Sequence, residues 1–178
     1  MINKMKYFYI SRKLKLRFYV YYPSNNNIHK PNHTEDLQLK IIKNTKELID
    51  FSNYYNFSIN EVFKQRMDND SILCVLIKNG DWVSYGWIAY KGNFWISEIN
   101  WKIKLDTEKK CILYDFFTSE KYRGNHYYST LLELMYSNFD FNEFYIYCLS
   151  SNKPSSKGIE RAKFEYLGTY NHYNKKIL

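Results

Sequence analysis

The sequence predicts a mixed α/β domain, in which an antiparallel meander of strands is followed by a parallel pair and helices flank the central sheet. Two observations carry this prediction. Asn79-Gly80 separates two β-prone runs, and this dipeptide is a strong short-range signal for a hairpin. Later in the chain, the β-prone runs 111–117 and 143–150 are separated by a helical pattern. These two strands should therefore lie parallel, joined by a helical crossover.

Hydrophobic periodicity predicts the remaining elements from residue 37 onward, in the order β-α-α-β-β-β-β-α-β-α-β. The strands are expected at 37–42, 71–77, 82–90, 93–105, 111–117, 143–150 and 165–173. The helices are expected at 44–55, 58–67, 127–139 and 152–164. Capping-box spacing marks two helix starts, one at Asn44 with Glu47 and one at Ser58 with Glu61.

The run 93–105 alternates between its two faces, which is typical of one long strand. Phe94, Ile96 and Glu98 share a face in this pattern. A carboxylate with apolar neighbours on its own face is expected to be partly buried.

The first 34 residues carry the excess charge of the chain. They hold seven Lys or Arg residues and no acidic residue, whereas the rest of the chain holds 19 basic and 18 acidic residues. We therefore divide the chain into a basic β-hairpin extension, residues 1–34, and a main domain, residues 35–178. The extension suits contact with nucleic acid, an anionic membrane surface or a phosphorylated substrate, and an edge strand protected by lysines fits the same pattern.

The composition argues against several classes of protein. No apolar run approaches the roughly 18 residues that a membrane-spanning helix needs. Cys74, Cys111 and Cys148 are odd in number and far apart, which argues against a disulfide framework and favours a reducing, cytoplasmic location. The four histidines show no metal-ligand spacing, so we expect no metal.

The stretch Glu120–Leu132, EKYRGNHYYSTLL, lies between a predicted strand and a predicted helix. A short loop of this kind directs backbone N–H groups and the positive end of the helix dipole toward one point. The stretch therefore predicts an anion site.

This arrangement resembles the GNAT N-acetyltransferases, whose loop reads Arg or Gln, two residues, Gly, one residue, then Gly or Ala, before a helix that ends in Leu-Leu. The matching residues here are Tyr122, Arg123, Gly124, Leu131 and Leu132. Asn152 and Phe164 keep a second spacing of the family. The resemblance covers roughly residues 37–170.

The resemblance implies a GNAT-like sheet and an acetyl-CoA site where strands 111–118 and 143–150 splay apart. The cofactor contacts that it implies are Phe116, Phe117, Thr118, Arg123, Gly124, Asn125, His126, Tyr127, Tyr128, Ser129 and Asn152. Members of the family transfer the acyl group directly to a nucleophile, usually an amine, without a covalent enzyme intermediate.

The sequence departs from the family pattern at four positions. His126 and Tyr128 stand where the loop usually has small residues, and glycine at such positions allows positive φ and close approach to a phosphate. Lys163 replaces the glycine of a later Gly-Phe pair. Ile159 stands where many members carry a tyrosine that protonates the departing thiolate.

Direct transfer requires a base for the amine and an acid for the thiolate. Glu98 and Asp115 are the candidate catalytic carboxylates, although a cross-strand ion pair or a structural acceptor would explain them equally well. The acid is left open among Tyr147, Cys148, Ser150 and solvent.

We therefore expect an acetyltransferase acting on a small-molecule amine, with a nucleotide-linked amino sugar of surface polysaccharide synthesis as one acceptor. Nucleic acid is not an expected partner of this enzyme, and a homodimer is left open. The alternative is a catalytically inactive GNAT-like module whose basic arm contacts nucleic acid or a membrane.

Overall fold

The computed structural model describes residues 14–25, 36–105 and 109–175. The strands in these ranges are β1 Leu16–Tyr21, β2 Leu37–Ile42, β3 Ile72–Lys78, β4 Asp81–Ala89, β5 Gly92–Ile96, β6 Trp101–Leu105, β7 Lys110–Thr118, β8 Glu143–Leu149 and β9 Glu165–Tyr170. The helices are α1 Thr45–Tyr55, α2 Glu61–Asp68, α3 Tyr127–Asn138 and α4 Lys153–Arg161.

A seven-stranded sheet in the order β2-β3-β4-β7-β8-β1-β9 forms the centre of the domain. Strands β7 and β8 are parallel, and the other neighbours in this sheet are antiparallel. Asn79 and Gly80 both have positive φ, 49° and 81°, and close the β3–β4 hairpin. The predicted fold class, an antiparallel meander followed by a parallel pair and flanked by helices, is confirmed.

One predicted helix start is correct and the other is wrong. The Asn44 side chain caps α1 by accepting a hydrogen bond from the Glu47 amide. Helix α2 is instead capped by Asn60, which accepts from the Phe63 amide, so Ser58 is not the cap. Both residues precede the same apolar positions, and only the cap geometry distinguishes them.

The single long strand expected at 93–105 is wrong. The segment folds into β5 and β6, which pair with each other as a separate two-stranded sheet around a 3-10 turn at Ser97–Ile99. Asn100 takes the left-handed conformation that reverses the chain, with φ 53°. Asparagine tolerates this conformation better than most residues, and strict alternation along the chain does not reveal it.

Strand β1 comes from the segment that the sequence analysis sets apart as an extension, yet it is an inner strand of the main sheet. It pairs with β8 on one side and with β9 on the other. The edge-strand interpretation of this segment is therefore wrong. Residues 1–13, which include the expected hairpin partner, lie outside the described residues.

Side-chain contacts also fix β1 to α4. Arg17 forms an ion pair with Glu160 at 3.2 Å and donates a hydrogen bond to Ser156 at 2.6 Å. The Tyr19 hydroxyl lies 2.6 Å from Ser156 Oγ. Arg17, one of the seven basic residues of the extension, is thus engaged inside the fold.

Strands β7 and β8 separate partway along their length, and this separation creates the site. Their pairing runs only from Lys110 to Leu113 on β7, although β7 continues to Thr118. Asp115 and Phe116 together oppose Gly86 of β4, which makes a β-bulge, and Asp115 has φ 50°. Beyond the bulge, none of the described strands pairs with the edge of β7 that faces β8 earlier in the strand.

Candidate active site

A pocket of about 640 Å³ lies between the loop that follows β7 and the exposed face of α4. We call it the loop pocket. Residues 116–118, 122–124 and 126–129 line one wall, and Asn152, Pro154, Ser155, Lys157, Gly158 and Arg161 line the other. Helix α3 begins inside this pocket.

The start of α3 offers free backbone donors to the loop pocket. His126 precedes the helix in the left-handed conformation, with φ 64°, and its carbonyl accepts the first helical hydrogen bond from Thr130. The amides of Tyr127, Tyr128 and Ser129 have no intrahelical acceptor, as in any first turn. Gly124, with φ 83°, turns the chain just before. Histidine at 126 therefore adopts the backbone conformation that glycine allows.

Side-chain hydrogen bonds connect the loop between β7 and α3 to the β3–β4 hairpin. The Tyr122 hydroxyl and Lys121 Nζ both contact Asp81, at 2.6 and 2.8 Å. Lys78 Nζ donates to the Tyr127 hydroxyl at 2.6 Å. These bonds hold the amide-rich start of α3 in place before any ligand arrives.

The charge of the loop pocket is positive. Arg123, Lys157 and Arg161 line it, and no carboxylate does so among the described residues. Arg161 donates to Nδ1 of His126, which orients both side chains. Basic side chains beside free amides at a helix start form a site suited to phosphate.

A second pocket of about 860 Å³ lies on the other side of the strand separation, toward β5 and the α2–β3 connection. Four carboxylates line it, from Asp68, Asp70, Glu98 and Asp115. We call it the acidic pocket. Its two basic side chains are Arg66 and Lys91.

Both basic residues of the acidic pocket are already paired. Arg66 forms an ion pair with Asp115, and Lys91 Nζ lies 2.9 Å from Asp70. Glu98 is half-buried and accepts a hydrogen bond from Ser97 Oγ at 3.2 Å. Among the described ion pairs none involves Glu98, so its charge is available to a ligand.

Comparisons by sequence find no matching protein-family model and no matching curated protein. Comparison of structures is informative. A conserved protein of unknown function from Staphylococcus epidermidis is similar with a TM-score of 0.59 and 12% identity, over 88% of this chain and 59% of the other. A GNAT-family acetyltransferase from Colwellia psychrerythraea is similar with a TM-score of 0.56 and 14% identity, over 88% of this chain and 54% of the other. A GCN5-related N-acetyltransferase from Kribbella flavida is similar with a TM-score of 0.53 and 7% identity, over 87% of this chain and 55% of the other.

The chain has a GNAT-like fold. It spans between 54% and 59% of the length of these three structures.

The GNAT-like fold gathers most of the predicted cofactor residues in the loop pocket. Ten of the eleven line it, namely Phe116, Phe117, Thr118, Arg123, Gly124, His126, Tyr127, Tyr128, Ser129 and Asn152. Asn125 does not; its side chain donates to the carbonyls of Tyr122 and Arg123 and so closes the turn. The Asn152 side chain caps α4 by accepting from the Ser155 amide, which leaves its NH₂ group for the pocket.

The two candidate carboxylates both lie in the acidic pocket of this GNAT-like domain, in different surroundings. Asp115 is engaged by Arg66, whose guanidinium also lies over the rings of Trp87 and Tyr114. Glu98 is on the turn between β5 and β6, not on a strand, and it stands close enough to Tyr147 to affect that hydroxyl. Burial first, and the Glu98 charge second, raise the pKa of Tyr147 well above its usual range.

The residues left open as the acid lie in different parts of the structure. Tyr147 and Cys148 line the acidic pocket, whereas Ser150 lines neither pocket. Ile159 is fully buried in the core. Within residues 14–25, 36–105 and 109–175, no group of three or more His, Cys, Asp or Glu side chains could bind a metal ion.

Sequence reasoning missed the α4 wall of the loop pocket. Pro154, Lys157, Gly158 and Arg161 recur at the three- and four-residue spacing of one helix face. That spacing is visible in the sequence, but it does not show that this face of α4 turns toward the loop.

Among the described helices, none is long and apolar enough to cross a membrane.

Proposed function

We propose that this protein transfers an acetyl group from acetyl-CoA to an amine. The observation that carries the proposal is the opposite charge of two pockets that meet where β7 and β8 separate. The loop pocket holds three basic side chains and the amides of a helix start, and it suits the phosphates of the coenzyme. The acidic pocket holds an excess of carboxylates and suits a cationic amine.

The coenzyme arm would run along the free edge of β7. Because β7 no longer pairs with β8 after Leu113, backbone groups on that edge near Phe116 and Thr118 are available to the amides of the pantetheine. Pairing of this kind is strand addition, in which main-chain hydrogen bonds bind an extended ligand. Asn152 lines both pockets, so it lies beside the same route. The thioester would then reach the border of the acidic pocket.

Glu98 is the better base of the two candidate carboxylates. An amine is protonated near neutral pH and must lose a proton to attack the thioester carbonyl. Glu98 has no ion-pair partner among the described residues, so it accepts the proton directly or through water. Asp115 is engaged by Arg66, and its role is to hold the bulge and the edge of the pocket.

The acceptor is expected to be a small cationic amine. A nucleotide-linked amino sugar is the second acceptor class, since five of the seven basic residues that would steer its diphosphate, at positions 4, 6, 12, 13 and 30, lie outside the described residues. The acidic pocket supports the first class, because its only basic side chains in the described chain are already paired with Asp70 and Asp115. The three buried, unpaired cysteines support a cytoplasmic location.

The inactive-module alternative draws support from His126 and Tyr128, which fill positions usually held by small residues. Its basic arm is weakened as a nucleic-acid contact, because Arg17 is held by Glu160 and Ser156. Acetyl-CoA-dependent turnover separates this alternative from the enzyme.

Acceptor-dependent release of coenzyme A thiol should be detected when the protein is given acetyl-CoA and a panel of polyamines, amino sugars and nucleotide-linked amino sugars. Glu98→Gln should lower kcat about 100-fold, because a general base contributes roughly 10²–10⁴. Glu61→Gln, at an exposed carboxylate on α2 that lines neither pocket, is the matched control. Thiol release that no amine accelerates contradicts the proposal, and an E98Q enzyme as fast as wild type removes Glu98 as the base.

A further inference from the structure

The loop pocket and the acidic pocket share four lining residues, Phe116, Tyr128, Asn152 and Ser155. This inference rests on the proposed function. A coenzyme with its phosphates in the loop pocket, and its acetyl group facing an amine in the acidic pocket, must place its C–S bond at this junction. A group that protonates the leaving sulfur has to lie there.

Tyr128 is held at the junction by its packing. Its ring lies on Gly158 of α4 so closely that a Cβ built on Gly158 would come within 2.4 Å of Tyr128 Cδ1. On its other side the ring meets Phe116 edge to face, with centroids 5.1 Å apart. Gly86 makes room for Phe116 in the same way, since a Cβ there would come within 2.1 Å of that ring. Two glycines thus admit the two rings that border the junction.

The Tyr128 hydroxyl carries a proton that no described acceptor takes. It accepts a hydrogen bond from Ser155 Oγ at 3.3 Å, and in the described chain no acceptor is paired with its own O–H. Desolvation raises the pKa of Tyr128 well above its usual range, so the phenol is a weak acid that gives up its proton only to a strong base. A coenzyme thiolate formed in the same desolvated surroundings would be such a base.

We propose that Tyr128 is the general acid that protonates the sulfur of coenzyme A. Glu98 first takes a proton from the ammonium group and passes it to solvent. The neutral nitrogen then attacks the thioester carbonyl carbon, and its second proton passes to Glu98. As the tetrahedral intermediate collapses, the C–S bond breaks, its electron pair goes to sulfur, and sulfur takes the proton of Tyr128 Oη. The phenolate then regains a proton from water through the Ser155 hydroxyl.

The other candidate acids are less well placed. Tyr147 and Cys148 line the acidic pocket and not the loop pocket, so they lie on the acceptor side of the junction. Of the four junction residues, Phe116 has no acidic proton and Asn152 is a poor acid. Ser155 is already directed toward Tyr128.

Tyr128→Phe keeps the ring on Gly158 and removes only the hydroxyl. We expect its kcat to fall about 100-fold with little change in the KM for acetyl-CoA, since a general acid acts in the transition state. The selenoester analogue of acetyl-CoA supplies a readout that a structural role would not change. A selenolate is a much weaker base than a thiolate and leaves without protonation, so wild type and Y128F should turn this analogue over at similar rates.

Tyr136→Phe is the matched control, because Tyr136 lies on the same helix and its ring stacks on Tyr21 in the core, 3.9 Å between centroids. It should keep the rate of the wild type with both substrates. If the kcat of Y128F with acetyl-CoA equals that of the wild type, Tyr128 is not the general acid. A Tyr128→Ala variant that turns over acetyl-CoA faster than the wild type also overturns the proposal, because the ring would then obstruct the coenzyme. A wild-type protein that does not transfer acetyl groups at all refutes the proposed function itself.

Discussion

Deleting residues 1–22 should leave a chain that does not fold. The deletion removes β1, which pairs with both β8 and β9. Five of its six side chains are at most 3% exposed, those of Leu16, Phe18, Tyr19, Val20 and Tyr21. Full burial of each such side chain is worth roughly 1.5–3 kcal/mol, so their sum is comparable to the 5–15 kcal/mol that stabilises a typical domain. Circular dichroism and thermal unfolding measure the outcome.

Deletion of residues 1–13 is the matched control, because it retains β1 and every described contact of that strand. This shorter deletion should unfold cooperatively. It also tests whether the basic residues steer the acceptor, in which case the KM for the acceptor rises and the affinity for acetyl-CoA is unchanged. A chain without residues 1–22 that still melts cooperatively would contradict the placement of β1 inside the sheet.

Reversing two charges in the loop pocket should weaken acetyl-CoA binding by at least about 100-fold. Lys157 and Arg161 lie on the face of α4 that lines this pocket, close to the start of α3. A hydrogen bond to a charged group contributes roughly 1.5–3 kcal/mol, so loss of two such contacts accounts for this factor. Titration calorimetry of Lys157→Glu/Arg161→Glu with acetyl-CoA gives the affinity directly.

The matched control for these charges is Lys46→Glu/Lys102→Glu, which makes the same change in net charge at two exposed lysines that line neither pocket. It should bind acetyl-CoA like the wild type at moderate salt, where distant surface charges are screened. Equal loss of affinity in both double variants would mean that only overall charge matters, and the loop pocket would not be the phosphate site.

Local patterns were sufficient to predict much of this fold. The Asn79-Gly80 hairpin, the parallel crossover from 111–117 to 143–150 and the helix that opens after Gly124 each depend on a few neighbouring residues. The residues that line the start of α3 are also consecutive in the chain, and their binding of an anion stays a prediction. The left-handed backbone at His126 shows that this position keeps the shape expected of glycine.

The rest depends on contacts between distant parts of the chain. The strand propensity of residues 14–22 does not reveal that they pair with β8 and β9, more than 100 residues away. The sequence around Arg17 contains no acidic residue, and its ion-pair partner Glu160 comes from the distant helix α4. Glu98 reads as a strand residue until Asn100 reverses the chain. The junction role of Tyr128 depends on Gly158, which lies on another helix.

The most direct test of the account is the melting temperature of the wild-type protein as a function of acetyl-CoA concentration. A ligand that binds only the folded state stabilises it by RT ln(1 + [L]/Kd), so the melting temperature should rise continuously through the millimolar range. That rise is the result we predict. An unchanged melting temperature at millimolar acetyl-CoA, with a rise on addition of an oligonucleotide, would contradict the account and favour the inactive binding module.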